Sequence, residues 1–534
     1  MPLFASSQDF QVLKQHNKVI FAKIEILTKD MQTIDDIKGA VIDGSFSIDA
    51  ESDIRRTLNI TIAVTDSSFN ISDSSKIWYD KFVKISTGYL DNVTEEILWY
   101  KNGVYVLSDG GYDWSATTST LSLSCLDLAA WCDGTRNGYV RGLVTKIEEG
   151  EKIRNVLIKL ITQEAGLSRY RIDTYHRSVP DGYEDIIAEF DEIPYDMEFD
   201  IDESVWGKIT QIRDLYPGWE AFFDIDGTFV FQAIPTCAED EVVLTSDILK
   251  DVVQSEPVSI SFTEIYNVSD VYGQCIEADR FADKCTVSGN VYNMTMADDP
   301  DFDGNDISLN TKIQVIVSGD SLDDQKITFN GSKQYPILYE SGEPIKASTM
   351  KNDKTYVLKY RAERDGAERK NERMLFLGEP QVHAICKEVA FKLTDEQKEY
   401  DRKEYENCEN IKYIYNPDSP FAITEMWSES HKNDIRHPLS GGEYENIYSA
   451  ELALQRAEYE TWLSTRLEEQ TEFPMIAVPW LDVNQKIEYT SMRTGETKQY
   501  ITKSISCQIM TGVMQVQAIQ FYPLYPFIIT QNNI

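Results

Sequence analysis

The chain has 534 residues with 42% hydrophobic and 11% aromatic content, enough for roughly three or four packed units and too apolar for a disordered polymer. Its 89 acidic against 51 basic residues leave a formal charge of −38, which repels phosphate and excludes nucleic-acid wrapping by basic patches, although nucleic acid could pass without sticking. No run of about 18 apolar residues occurs and the N-terminal MPLFASSQDFQVLKQHNK lacks an apolar h-region. Neither a membrane span nor a signal peptide is therefore expected, and folding in cytosol is.

Residues 19 to 132 read as antiparallel β. Leu58, Ile60, Ile62 and Val64 alternate with Asn59, Thr61 and Ala63, and Leu121, Leu123 and Cys125 alternate with Thr120, Ser122 and Ser124, so each strand has one face in a core. Asn102-Gly103, between Ile97–Tyr100 and Val104–Leu107, carries the two-residue hairpin signal. From about 136 the pattern changes. Ile153, Val156, Leu157, Leu160 and Ile161 make a helical stripe over Glu151 to Ala165, stopped by Gly166, and Ser204 caps a second helix over 205 to 215 that ends before Pro217-Gly218. Trp219 to Phe223, an Asp226-Gly227 turn and Thr228 to Phe231 form a hairpin.

Val258–Phe262 and Asn267–Gly273 return to β and open a second barrel that is then interrupted. Between about 292 and 390, Lys312 to Ser318, Thr355 to Tyr360 and Met374 to Leu377 are strands of an inserted module. Thr394 to Glu406 is a charged helix and Asn416 to Pro420 a linker. A long helix over about 449 to 470, capped by Ser449, leads into Pro479 to Asn484 and a closing meander of Lys486–Tyr489, Tyr500–Ile509 and Val513–Ile519. The fold class read from this order is mainly β with α+β parts: two small antiparallel β-barrel domains, an intervening α+β domain and an inserted β module. The divisions are 1–135 for the first barrel, 136–257 for the α+β domain, 258–291 with 416–534 for the second barrel and its helix, and 292–415 for the insertion.

Chemistry-bearing patterns are sparse. There is no G-x-S-x-G, P-loop, G-x-G-x-x-G or H-E-x-x-H, so no catalytic residue and no organic cofactor is assigned. Five histidines stand at 16, 176, 383, 431 and 437; His383 and Cys386 would lie one turn apart on a helix, but two ligands do not make a zinc site. Eight cysteines without a C-x-x-C pair read as reduced, mostly buried side chains. The acidic run Glu184 to Glu203 reads as a solvated loop, without the fixed spacing of a catalytic carboxylate pair. Asp299, Asp301, Asp303 and Gly304 fall at positions 1, 3, 5 and 6 of a calcium-loop template, with Asp306 a partial substitute for the missing Glu at position 12, which is Asn310. Calcium is the one metal this pattern suggests; a loop rich in turn formers is the competing reading. The terminal string Phe521–Pro526 is either a packed tail or an exposed aromatic site.

Four motifs in order resemble the tail-hub, or baseplate-hub, proteins of long-tailed bacteriophages and phage-like particles. They are the hairpin Phe222-Phe223-Asp224-Ile225-Asp226-Gly227-Thr228-Phe229-Val230, the strand Tyr266–Gly273, the helix approach Gly442–Ser449, and the turn Pro479-Trp480-Leu481-Asp482-Val483-Asn484. The resemblance excludes roughly 292 to 415. It implies a non-enzymatic virion structural protein of the tail tip or baseplate, assembled in the host bacterial cytoplasm. It also implies a homotrimeric ring whose two barrels per chain adapt a six-fold tail tube to a three-fold spike or fibre assembly and form part of the DNA-ejection channel. The implied partners are a tail-tube or distal-tail protein, and a spike, fibre or tape-measure protein, with DNA only in transit. The alternative is a carbohydrate-binding or cell-wall-degrading protein of the tail tip or cell surface, suggested by β modules with nine Trp and 29 Tyr.

Overall fold

Alternation of apolar and polar residues builds a closed barrel from the first six strands. These are β1 (Ile20–Leu27), β2 (Thr33–Asp49), β3 (Arg56–Ala63), β4 (Phe82–Leu90), β5 (Ile97–Trp114) and β6 (Ser119–Asp127), in the order β1-β4-β5-β6-β3-β2 with β2 returning to β1. Leu58, Ile60, Ile62, Leu121, Leu123 and Cys125 point inward as their alternation predicts. The computed structural model describes residues 6–15, 18–64, 71, 77–114, 119–136, 138–140, 146–173, 192–199, 203–215, 218–234, 241–282, 284–296, 299–365, 368–405, 408, 410–424, 434–465 and 469–521. His16, His176, His431, Pro217, Tyr522–Pro526 and most of Glu184–Glu203 lie outside them.

Asn102-Gly103 is not a turn. Both residues sit inside the continuous strand β5, where Ile85 pairs with Gly103 and Ser86 with Lys101, leaving Asn102 as a bulge. Gly103 has φ +152, and a Cβ there would lie 2.9 Å from the Tyr105 ring, so glycine serves the bulge rather than a hairpin. The chain reverses instead at Asp91–Glu96, between β4 and β5.

The closing meander forms a second barrel-like unit from β7 (Val258–Ile260), β8 (Glu469–Ile476), β9 (Lys486–Thr490), β10 (Thr497–Gln508) and β11 (Val513–Gln520). The helix Ser246–Val252 lies across the gap, with Leu244 bridging Ile487 and Val253 bridging Met475. Leu249, Phe473, Trp480, Ile487, Tyr500 and Val516 belong to its core.

The two units repeat one plan. In the first, β2 pairs with β3, β3 with β6, β6 with β5 and β5 with β4. In the second, β7 pairs with β8, β8 with β11, β11 with β10 and β10 with β9, all antiparallel and in the same chain order. The β4–β5 and β9–β10 turns share their hydrogen bonds. Asp91 N–H donates to Glu96 O and Glu95 N–H to Asp91 O (both 2.8 Å); Ser491 N–H donates to Glu496 O (2.8 Å) and Gly495 N–H to Ser491 O (2.9 Å). Thr94 Oγ1 accepts from Glu96 N–H (3.4 Å) as Thr494 Oγ1 accepts from Glu496 N–H (3.3 Å). The Val93 N–H leads the donors that hold the Asp91 carboxyl down at about 2. The units are also fused: Ser45–Asp49 of β2 pair with Ser504–Gln508 of β10, making one eleven-stranded sheet.

The segment Val268–Cys275 pairs not with the closing strands but with Gln381–Val389 and Arg436–Leu439, in a four-stranded sheet completed by Ile411–Tyr415. Val268 to Val271 are buried without alternation, which suits a strand covered on both faces. The helix Ala450–Ser464, capped by the Ser449 hydroxyl, packs on this sheet. It ends earlier than its predicted limit, and Glu469 already belongs to β8. The expected α+β elements form with Ile153–Lys159, a π-turn Leu160–Glu164, Val205–Arg213 capped by Ser204, and the hairpin Trp219–Phe223/Phe229–Ala233. The predicted insertion strands lie in an eight-stranded sheet running from Arg280 to Gly378.

The paired turns give a test. Glu95 (φ 60) and Gly495 (φ 75) occupy the same left-handed position. Glu95→Gly should stabilise the first barrel, and Gly495→Ala destabilise the second, each by about 1 kcal/mol. Urea unfolding of the two variants checks both signs.

Candidate functional site

The turn between β2 and β3 places two arginines side by side where three units meet. Arg55 extends a guanidinium to Glu220 Oε2 at 2.5 Å, with both side chains buried, and stacks 3.7 Å over the Phe222 ring. Glu220 also accepts from Gln232 Nε2 (2.8 Å) and from Asn484 Nδ2 (3.1 Å). Arg56 turns the other way, to Asp482 Oδ2 at 2.6 Å. Its backbone N–H donates to Asp127 (3.0 Å), which also caps Ala129 (2.8 Å). Burial pushes the Asp127 carboxyl up to about 6, against the pull of these donors and of Arg56.

Two motifs that were far apart in sequence therefore converge here. The hairpin of the α+β unit supplies Glu220 and Phe222, and the Pro479–Asn484 turn supplies Asp482 and Asn484. The hairpin tip is fitted to the first barrel by Gly227, whose φ is +74 and whose Cβ, if present, would lie 3.0 Å from Val104 and 3.2 Å from Leu128. Lys101 completes the contact at the surface with Asp226 (2.7 Å). An open cleft of about 700 Å3 lies over the junction. At its centre Arg55 is paired with Glu220 and Arg56 with Asp482, an arrangement that fixes the orientation of the hairpin and of the Pro479–Asn484 turn.

The remaining candidate residues take structural positions. His383 and Cys386 lie on a strand, not a helix; His383 bonds Asp270 at 2.6 Å and stacks on Tyr272 at 4.3 Å, while Cys386 is buried. His437 stacks on Tyr266 at 4.1 Å. A second polar core, which the sequence reading missed, centres on Lys387, buried between Asp401 (2.8 Å) and Asp434 (2.9 Å). Tyr413 donates to Asp401 (2.8 Å) and Tyr405 to Asp434 (2.9 Å), and burial raises both phenols. Lys387 and Glu388, two charges set between Ile385-Cys386 and Val389, were the available signal.

The structure does not gather Asp299, Asp301, Asp303 and Asp306 around a point. Asp303 accepts from the Asn305 N–H (2.9 Å), Asp306 pairs with Arg369 (2.8 Å), and among the described residues no three His, Cys, Asp or Glu side chains could hold a metal ion. Tyr335 donates to the Gly304 carbonyl (2.5 Å), which ties the loop to the sheet.

Comparison with known proteins places residues 418–525 in a match to the family described as Domain of unknown function (DUF5048). No curated protein matches the sequence. Similar solved structures include a tail protein from Neisseria meningitidis (TM-score 0.41, 8% identity, 93% of this chain and 96% of that one). They also include the 43 kDa tail protein of prophage MuSo2 from Shewanella oneidensis (0.43, 9%, 94% and 98%) and a prophage tail protein from Listeria monocytogenes (0.35, 8%, 93% and 94%).

Two tests follow from the site. Arg55→Ala strands Glu220 in the interior and should cost about 3–5 kcal/mol, whereas Arg55→Met combined with Glu220→Leu should recover most of it. Urea midpoints of the three variants measure the difference. Millimolar calcium should leave the calorimetric melting temperature unchanged, because Asp303 and Asp306 are already engaged.

Proposed function

We propose that the protein is a structural hub of a phage-type tail tip or baseplate, not an enzyme. The observation that carries this reading is the duplicated five-strand unit, held side by side by pairing of β2 with β10. Three copies of a chain with two equivalent units present six similar units on one ring face while keeping true three-fold symmetry elsewhere. Such a ring matches a six-fold tail tube or distal-tail protein on one side and a three-fold spike, fibre or tape-measure protein on the other.

The buried Arg55–Glu220 pair and the half-buried Arg56–Asp482 pair support the same role, since an adaptor must hold its two units at one fixed angle. The formal charge of −38 suits a channel through which DNA moves without adhering. In this reading the eight-stranded sheet is a peripheral decoration and the protein assembles in the host cytoplasm.

Light scattering after size exclusion, at low and moderate salt, tests the proposal. The expected mass is near three times 61.1 kDa, with rings visible by negative stain. A monomer at every salt concentration would refute it.

A further inference from the structure

The duplicated plan leaves one half of its own internal contact unmatched at each end. Aligning the two units through their strand pairings makes Val258, Ser259 and Ile260 of β7 equivalent to Phe46, Ser47 and Ile48 of β2. The alignment rests on Leu58, which pairs with Phe46 and Cys125, and on Thr471, which pairs with Val258 and Ala518. The same alignment makes Gly110, Gly111 and Tyr112 of β5 equivalent to Ile505, Ser506 and Cys507 of β10, each set following a bulge, at Leu107/Asp109 and at Thr502/Ser504.

Within the chain, Phe46, Ser47 and Ile48 pair with Cys507, Ser506 and Ile505. Their counterparts on the other units have no such partner among the described residues. The consequence shows in burial: Ile48 is 6% exposed and Cys507 3%, whereas their equivalents Ile260 and Tyr112 are 44% and 59% exposed. Phe262 and Trp114, which extend the two edges, are also exposed. A sheet edge with outward apolar side chains at alternate positions is a template for another strand.

We propose that the outer edge of β7 in one copy pairs antiparallel with the Asp109–Trp114 tail of β5 in the next copy. The register repeats the internal contact: Val258 opposite Tyr112, Ser259 opposite Gly111, Ile260 opposite Gly110. The occupant of each edge is a second copy of this chain, because each edge is the counterpart of a strand the chain already pairs with itself. The contact is head to tail, so its repetition is not a two-fold dimer and makes a ring when the rotation between copies closes. This rests on the hub reading and assigns the surfaces that close the ring.

The test is a cysteine pair in the full chain, Ser259→Cys with Gly111→Cys. Ser259 is exposed, and a Cβ at Gly111 meets nothing within 4 Å, so neither change disturbs the fold. Under mild oxidation the double variant should run as a covalent trimer on a non-reducing gel and collapse to single chains with reductant. Each single variant and the parent protein should remain single chains, which controls for the exposed Cys275. As a second measurement, Ile260→Lys should shift the particle from trimer to monomer by light scattering. A trimer that gives no cross-link and survives Ile260→Lys would overturn the edge pairing and leave the hub reading standing. A parent protein that is monomeric at every salt, with no cross-link in the double variant, would overturn both.

Discussion

The architecture depends on one strand serving two sheets. The first half of β2 closes the first barrel against β1, and its last five residues, Ser45 to Asp49, carry the second unit through β10. Side chains alternate with a period of two along this strand, so a slip of one residue would expel Ile48 and bury Ser47. Register in one unit therefore fixes register in the other, and the angle between them is set by backbone hydrogen bonds rather than by a linker. The turn that ends β2 then delivers Arg55 and Arg56 to the junction at a defined height, where Glu220 and Asp482 receive them.

The choice of charge at that junction has a physical reading. A buried ion pair seldom adds net stability over an apolar one, because desolvating both charges offsets most of their attraction. It does penalise every arrangement in which one charge lacks its partner. Buried Arg55 has a buried acceptor on the hairpin and buried Arg56 a half-buried one on the Pro479–Asn484 turn, so a misdocked hairpin or a displaced turn leaves a buried arginine stranded. Gly227 adds a steric condition, since any side chain there would push the hairpin tip away from Val104 and Leu128. Both devices select one geometry for the junction.

Much of this was legible in the sequence where the signal is local. The alternation at Leu58, Ile60 and Ile62, the Ser204 and Ser449 caps, and the Asp226-Gly227 turn each depend on residues within a few positions. Asn102-Gly103 misled because a bulge and a tight turn ask for the same backbone freedom, and only cross-strand pairing tells them apart. The real reversal at Asp91–Glu96 was hidden by a glutamate, Glu95, in the left-handed position where Gly495 stands in the other unit. The duplication was missed for the same reason: the turns share only Thr94/Thr494 and Glu96/Glu496, with Asp91 and Ser491 playing one role through different chemistry. The junction could not be read at all, because Arg55 and Glu220, or Arg56 and Asp482, are brought together only by the fold.

The duplication also explains how a large insertion is tolerated in the second unit. In the first, β2 and β3 are joined by a short turn over residues 50–55; in the second, the equivalent strands β7 and β8 are separated by residues 261–468. The penalty for lengthening a connection grows only slowly with length, by about 0.6 kcal/mol per doubling, and nearly vanishes if the inserted segment folds with its own ends together. Here the ends are together. Ile260 pairs with Glu469, and beyond them the Tyr266 N–H donates to the Ser464 carbonyl at 3.3 Å. The four-stranded sheet, the long helix and the eight-stranded sheet thus leave and return through one point of an ordinary β-turn position. The unit they interrupt keeps its register, and with it an outer edge on β7 equivalent to the one β2 uses within the chain.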